Sequence, residues 1–240
     1  MTITTTLSLS EAIENARNHN ACENDIEIIE NFNSWDEFLN HENAPFWLYW
    51  YTNNIIKNRW PDAEEYIKKD PLYAYWYAKY IIKDRWYDAE EYIMKDPEYA
   101  HSYAKDVIKG RWSDAEEYIM KELYRVYIYA RDVIKDRWPD AEEYIMKDSE
   151  IAYRYARDII KDRWIEAEEY IKKNPIWIFW YAKDVIEDRW SDAEEYIMKD
   201  PEWACWYAKN IIKDRWYEAE EYIMKDSIWW DDYNDFIKEL

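Results

Sequence analysis

KDRWYEAEEYIMKD, residues 213–226, restates KDRWYDAEEYIMKD at 83–96 and KDRWPDAEEYIMKD at 135–148. The Arg-Trp pair inside it measures the interval. Trp60, Trp86, Trp112, Trp138, Trp164, Trp190 and Trp216 stand 26 residues apart, with no insertion or deletion between them. A fixed period of this size marks a tandem array, whose unit cannot bury its apolar face alone and does so against its neighbours. A degenerate earlier unit, residues 34–59, shows in Pro45 and Tyr51, which precede Pro71 and Tyr77 by the same 26.

Each unit reads as two short helices. The first starts after the Trp, where Pro61 and Pro139 suit the first helical position and Ser113 or Ser191 is expected to cap. Asp62, Glu64 and Glu65 fall in its first turn and Lys69 at its end, as the helix dipole favours. Asp70-Pro71, Asp96-Pro97, Asn174-Pro175 and Asp200-Pro201 restart the chain with a cap and a proline at N1. The second helix ends near Asp84, Asp136, Asp162, Asp188 and Asp214. The sole glycine, Gly110, falls at this same position, which points to a left-handed residue there. Ala63, Tyr66 and Ile67 form the apolar stripe of the first helix; Ala74, Tyr77, Ala78, Ile81 and Ile82 form that of the second. With one residue in five aromatic, the repeated Trp and two Tyr are expected to supply the core of so short a unit. The spacing predicts an all-α solenoid of tandem two-helix repeats over residues 34–240. Residues 1–33, with a capping box at Ser8 and Glu11, read as a helical N-terminal cap.

Units such as KGRWSDAEEYIMKDPEYA, from Lys109, resemble the short Arg-Trp-Pro-Glu-Ala-Glu type tandem repeats of bacteriophage and large-virus proteins. The resemblance covers roughly residues 34–240. It implies helical repeats and a viral origin, hence a host cytoplasm as the setting, and it brings no catalytic residues with it.

The signals of catalysis and cofactor binding are sparse. His19, His41 and His101 are isolated, with no cysteine or histidine at metal-ligand spacing, and one glycine excludes a phosphate-cradling loop. Ser102 beside His101 is a neighbour pair that a helix would point apart. Asp62 and Glu65 recur in every unit and could chelate a cation, but dipole and Glu65–Lys69 pairing account for them. No enzyme, metal or cofactor is expected. Cys22 and Cys205 give no disulfide framework, which fits a reducing compartment. MTITTTLSLSEA has neither a basic nor an apolar leader region, and IWIFWYA, from Ile176, is too short to span a bilayer. A cytoplasmic, membrane-free chain is the expectation.

The net charge of −21 speaks against direct nucleic-acid binding and for a partner with a basic surface. Residues 1–59 carry −6, residues 60–215 carry −9 and residues 216–240 carry −6, so over half of the charge sits in the ends. An acidic ribbon on the first helices, represented by Asp114, Glu116, Asp140 and Glu142, sustains an alternative in which the chain mimics nucleic acid. The main expectation rests on the second helix, where an outward pair varies from unit to unit: Tyr75-Trp76, His101-Ser102, Tyr127-Ile128, Tyr153-Arg154, Phe179-Trp180, Cys205-Trp206 and Asp231-Asp232. Stacking does not demand Trp at the second member, whereas Trp177, Trp203 and Trp229 flank the core and suit packing between repeats. A constant scaffold with a variable aromatic face predicts a protein-binding module, with Trp180 and Trp206 as anchors supported by Ile176 and Trp76. Occlusion of a host protein's surface is the mechanism that this reading implies.

Overall fold

The computed structural model describes residues 7–240; residues 1–6, on which part of the reading of the N-terminus rests, lie outside them. Every regular element among the described residues is a helix. The structure is the expected all-α stack of tandem two-helix repeats, divided into two compact units, residues 7–125 and 126–240. The first unit opens with Leu9–Asn18, Glu23–Glu30 and Trp35–Phe38, and the Ser8/Glu11 capping box is formed. Repeats follow, such as Pro61–Ile67 with Pro71–Trp76 and Tyr77–Ile82. In the second unit the second helices Ser149–Tyr155, Pro175–Tyr181 and Pro201–Tyr207 lie side by side, each continued by five residues of wider turn.

The recurrent element of the repeats is a relay of hydrogen bonds around one tyrosine. The backbone N–H of Trp60 donates to Tyr77 Oη at 2.7 Å, and the Tyr77 hydroxyl donates to Glu64 Oε1 at 3.0 Å. Arg59 closes the relay from Nε and Nη2 onto the two Glu64 oxygens at 2.8 and 2.7 Å. The Tyr77 ring meanwhile packs on Trp86 of the following repeat, with centroids 5.0 Å apart. The relay returns at Trp86/Tyr103, Trp138/Tyr155, Trp164/Tyr181, Trp190/Tyr207 and Trp216/Tyr233. Its logic is satisfaction. A buried amide at the helix start needs an acceptor, the hydroxyl that accepts has a proton to give, and the carboxylate that takes it needs a counter-ion. Burial, reinforced by Glu64 and opposed by the Trp60 N–H, drives the Tyr77 phenol far above its ordinary value.

Helix starts and stops correct several expectations. Asp70, Asp96, Asn174 and Asp200 cap the second helices as expected, each accepting backbone N–H bonds. Ser113 and Ser191 do not cap; they are the first helical residues and the preceding Trp takes the cap position. The left-handed residue is not Asp84 or Gly110. It is the residue before: Lys57, Lys83, Lys109, Lys135, Lys161, Glu187 and Lys213 have φ between 55° and 62°, and Gly110 has no positive φ. Each second helix, except the last, widens into a π-turn over a β-branched pair such as Ile81-Ile82 or Val107-Ile108. Crowding of branched side chains against the preceding turn disfavours the α geometry there. Ser227–Lys238, with Ile237-Lys238 at that position, stays α-helical to its end. Lys83 N–H then bonds Ala78 O at 2.7 Å, and a cation at a helix C-terminus offsets part of the left-handed strain. Asp84 has a different task, accepting the Arg85 N–H at 2.7 Å.

Two core expectations also change. Tyr66 is half-buried rather than core, its ring lying under Lys69 Nζ at 5.0 Å. Glu65 accordingly pairs with Lys68, at 2.9 Å, instead of Lys69. The place in the core belongs to Glu64, which is 8% exposed.

Two stability outcomes follow from these placements. Arg85→Ala strands a nearly buried carboxylate and should cost about 3–5 kcal/mol, more than Glu90→Gln, which leaves a half-exposed Arg free to hydrate and should cost about 1–3 kcal/mol. Urea denaturation of the two variants gives the order directly. Gly110→Asp meets nothing within 4 Å of the added Cβ and supplies the acceptor found in the other repeats. It should raise stability by about 0.5–1 kcal/mol; a loss on thermal unfolding would restore the left-handed assignment to Gly110.

Candidate functional site

The second helices carry the variation, and in most of the variable pairs the structure separates the two members. The first members are interior: Tyr75, His101, Tyr127, Tyr153, Phe179 and Cys205 are all buried. Expecting them to face outward was therefore wrong, because each side chain turns towards the next repeat. Within the second unit Tyr153 O–H donates to Asp184 at 2.5 Å, and Tyr127 O–H donates to Asp158. In the first unit Tyr75 does the same to Asp106, at 2.5 Å. The partner always lies 31 residues on. A cation sits beside each: Lys79 bonds Asp106 at 2.7 Å, and Arg157 bonds Asp158 at 2.6 Å and Tyr153 Oη at 2.9 Å.

Burial pushes the Tyr153 phenol up to about 12, helped by the hydrogen bond to Asp184. Burial would also raise the Asp158 carboxyl, but hydrogen bonds from Arg157 and Tyr127 hold it below the ordinary carboxylate range. This Tyr–Asp rung loses its acid along with its hydroxyl at 179/210, whereas His101 keeps Asp132 at the same offset. Phe179 faces Asn210 by the same 31-residue offset, and Asn210 turns to bond Trp206 O. Cys205 instead points at Asp232, which also takes two bonds from Lys209 at 2.8 Å. Burial and that acid push its thiol up to about 12, the behaviour of an inert core cysteine.

The second members remain accessible to different degrees. Trp206 is 40% exposed, Trp180 and Trp76 are half-exposed, and Ile128 is buried. Trp180 lies beside Trp177 in a groove of about 270 Å³ between helices Ser149–Tyr155 and Pro175–Tyr181, lined also by Tyr153, Arg154, Arg157 and Asp184. Trp177 stacks on Tyr153 at 5.5 Å and Trp203 packs on Phe179 at 5.6 Å, so both serve inter-repeat packing as expected. Lys183 Nζ stands 4.8 Å from the Trp180 ring centre, and Lys209 Nζ stands 6.0 Å from that of Trp206. Ile176 is half-exposed near the start of its helix, its N–H bonded to Asn174. Trp76 belongs to the first unit, where it packs on Tyr49 and Tyr73 at 5.6 and 5.8 Å.

The acidic ribbon divides in two. Asp114 and Asp140 are exposed. Glu116 and Glu142 are held by Arg111 and Arg137, and Glu142 also accepts from Tyr155. Among the described residues no group of three or more His, Cys, Asp or Glu side chains is placed to hold a metal ion. None of their helices is long and apolar enough to cross a membrane.

One exposed row went unread in the sequence. The residue after each repeated Trp varies, and Tyr87, Ile165 and Tyr217 are 69%, 61% and 68% exposed there. Tyr87 and Tyr217 lie under the guanidinium groups of Arg85 and Arg215 at 4.8 and 4.6 Å. The signal was available: Pro, Tyr, Ser, Pro, Ile, Ser and Tyr succeed one another at this single position. Comparison with family models, curated proteins and solved structures gives no match.

The rung has a direct energetic test. In a double-mutant cycle of Tyr153→Phe and Asp184→Asn, which reproduces the Phe/Asn pair of the next junction, the doubly substituted chain should recover about 1 kcal/mol relative to the sum of the singles. Additive effects in chemical denaturation would show that the two side chains are not coupled.

Proposed function

We propose that this chain is a non-enzymatic helical-repeat module that binds another protein through the second-helix face of residues 149–212, with Trp180 and Trp206 as anchors. The observation that carries the reading is the repeat comparison at one position. Ser102, Arg154 and Asp232 occupy the place of Trp180 and Trp206 in other repeats, so the stack itself does not require an indole there. Two large aromatic side chains kept at the surface on successive repeats are costly to leave in water and useful at an interface. Ile176 extends the apolar contact surface, and in the first unit, taken by itself, Trp76 with its neighbours Tyr49 and Tyr73 offers a second aromatic patch. Binding would act by covering the partner's surface, in keeping with an inhibitor or decoy of the viral kind that the repeats resemble, working in the host cytoplasm. The net charge favours encounter with a basic body.

Nucleic-acid mimicry has less to stand on. Such mimicry needs free carboxylates at regular spacing, and Glu116 and Glu142 are each already clamped by an arginine. Asp114 and Asp140 alone make a sparse ribbon.

The test is affinity capture from host lysate with the wild-type chain and with Trp180→Ala/Trp206→Ala, followed by titration of the retained protein. The double variant should bind at least about 30-fold more weakly, the equivalent of 2 kcal/mol or more, with an unchanged far-ultraviolet spectrum. Equal affinity would remove the indoles from the interface. Displacement of the partner by duplex DNA, together with loss of binding in Asp114→Asn/Asp140→Asn, would favour mimicry instead.

A further inference from the structure

The second helix Ser227–Lys238 keeps the relay but not the ring packing that goes with it. Trp216 N–H donates to Tyr233 Oη at 2.7 Å, as in the repeats before it. The seven tyrosines at the equivalent place, from Tyr51 to Tyr207 at steps of 26, each lay their ring against the Trp nine residues on, with centroids 4.9 to 5.6 Å apart. Tyr233 is 0% exposed, yet its ring neighbours belong to its own helix. Trp230 stacks on it at 5.9 Å with 26° between the planes, and Phe236 lies at 6.4 Å.

The positions around that ring change with it. Three places before the tyrosine and one place after it, earlier repeats carry residues such as Ala152 and Ala156 or Ala204 and Ala208, all fully buried. Standing four apart, they share the helix face that bears the tyrosine, and Pro201–Tyr207 packs on the following first helix, Tyr217–Ile223. In Ser227–Lys238 the pair is Trp230 and Asn234, both half-exposed. The first variable member, buried at Tyr153, Phe179 and Cys205, is here Asp231 and exposed. A further repeat stacked on this face would meet an indole where a methyl group allows close approach, and would bury a carboxylate and an amide.

We infer that Trp230, with Asp231 and Asn234, closes this end of the stack against another repeat, and so against the same end of a second copy of this chain. An ordinary second helix left uncovered would present the tyrosine ring and two alanines to solvent, the surface on which the junctions within each unit are built. Two such ends would cover one another across a two-fold axis. The indole gives Tyr233 from within the helix the aromatic cover that stacking gives elsewhere, and the polar pair makes further burial costly.

Trp230→Ala/Asp231→Tyr/Asn234→Ala writes the residues of an ordinary repeat into the three places. In sedimentation velocity its mass should rise with concentration towards that of two copies, over a range in which the wild-type mass stays constant. Asp231→Tyr/Asn234→Ala, which keeps the indole, should hold the wild-type mass. Amide exchange on the single variant Trp230→Ala adds a readout independent of association: the Trp216 N–H should exchange at least about ten-fold faster while the Trp190 N–H is unchanged. A constant mass in the folded triple variant, association of the variant that retains the indole, or an unaltered Trp216 rate would each overturn the assignment. Loss of protection at every relay amide would make Trp230 a core residue of the array instead of its stop, and would overturn it equally. None of these results bears on partner capture through Trp180 and Trp206.

Discussion

A tyrosine hydroxyl that accepts from one backbone and gives to one carboxylate is the constraint from which the repeat is built. Each helix start buries a Trp amide that no helical carbonyl can reach, and the phenol of the same repeat is its acceptor. The phenol then requires a carboxylate, the carboxylate requires Arg59 or its equivalent, and the ring of the tyrosine is committed to the next Trp. The hydroxyl fixes the turn between the helices of one repeat, while the ring fixes the step to the following one. Arg, Glu and Tyr are thus a single unit of information joined to the backbone N–H of the Trp, and loss of the Tyr hydroxyl or of the Arg leaves a buried polar group unpaired. That accounts for the strictness of the 26-residue interval: a residue inserted between Trp60 and Tyr77 would carry the hydroxyl away from its amide.

The period, the two helices and the Asp-Pro caps were legible because each is a local rule written in residue type. The role of Glu64 was not. By position it belongs to the first turn of a helix, where any acid suits the dipole, and only the return of the chain places Tyr77 and Arg59 against it. Asp84 and Gly110 misled for a related reason. Both types favour left-handed backbone, but the β-branched pair before Lys83 widens the last turn and moves the left-handed residue one place earlier. Tyr66 looked like core from its spacing, yet a ring that lies at the edge of a seven-residue helix is covered by the Lys69 side chain instead.

The candidate face was half legible. Helical angle separated the second member of each variable pair from the core, and Trp206 and Trp180 do reach solvent. It failed on the first member, because a residue pointing sideways from a short helix meets the next repeat, whose contribution stands 31 residues away. Once that offset is known the sequence reads differently. Tyr with Asp at 75/106, 127/158 and 153/184 gives way to Phe with Asn at 179/210, so part of the apparent variation is a matched exchange. A residue under such coupling cannot answer to a partner as well.

What freedom remains is narrow. The relay holds four positions, the alanines allow close approach of helices, the caps and turns hold their own, and the rungs bind the first variable member to its neighbour. The second member and the residue following the Trp are left. On the second-helix side, indoles stand at that member in succession at Trp50 and Trp76 and again at Trp180 and Trp206, the latter pair next to a junction whose rung has become Phe with Asn. Replacing the acid by an amide removes a negative charge from the flank of Trp206, just as Lys183 and Lys209 stand over the two indoles. The same substitution that relaxes the rung makes the surface beside it less acidic, so the packing exchange and the character of the exposed face change together.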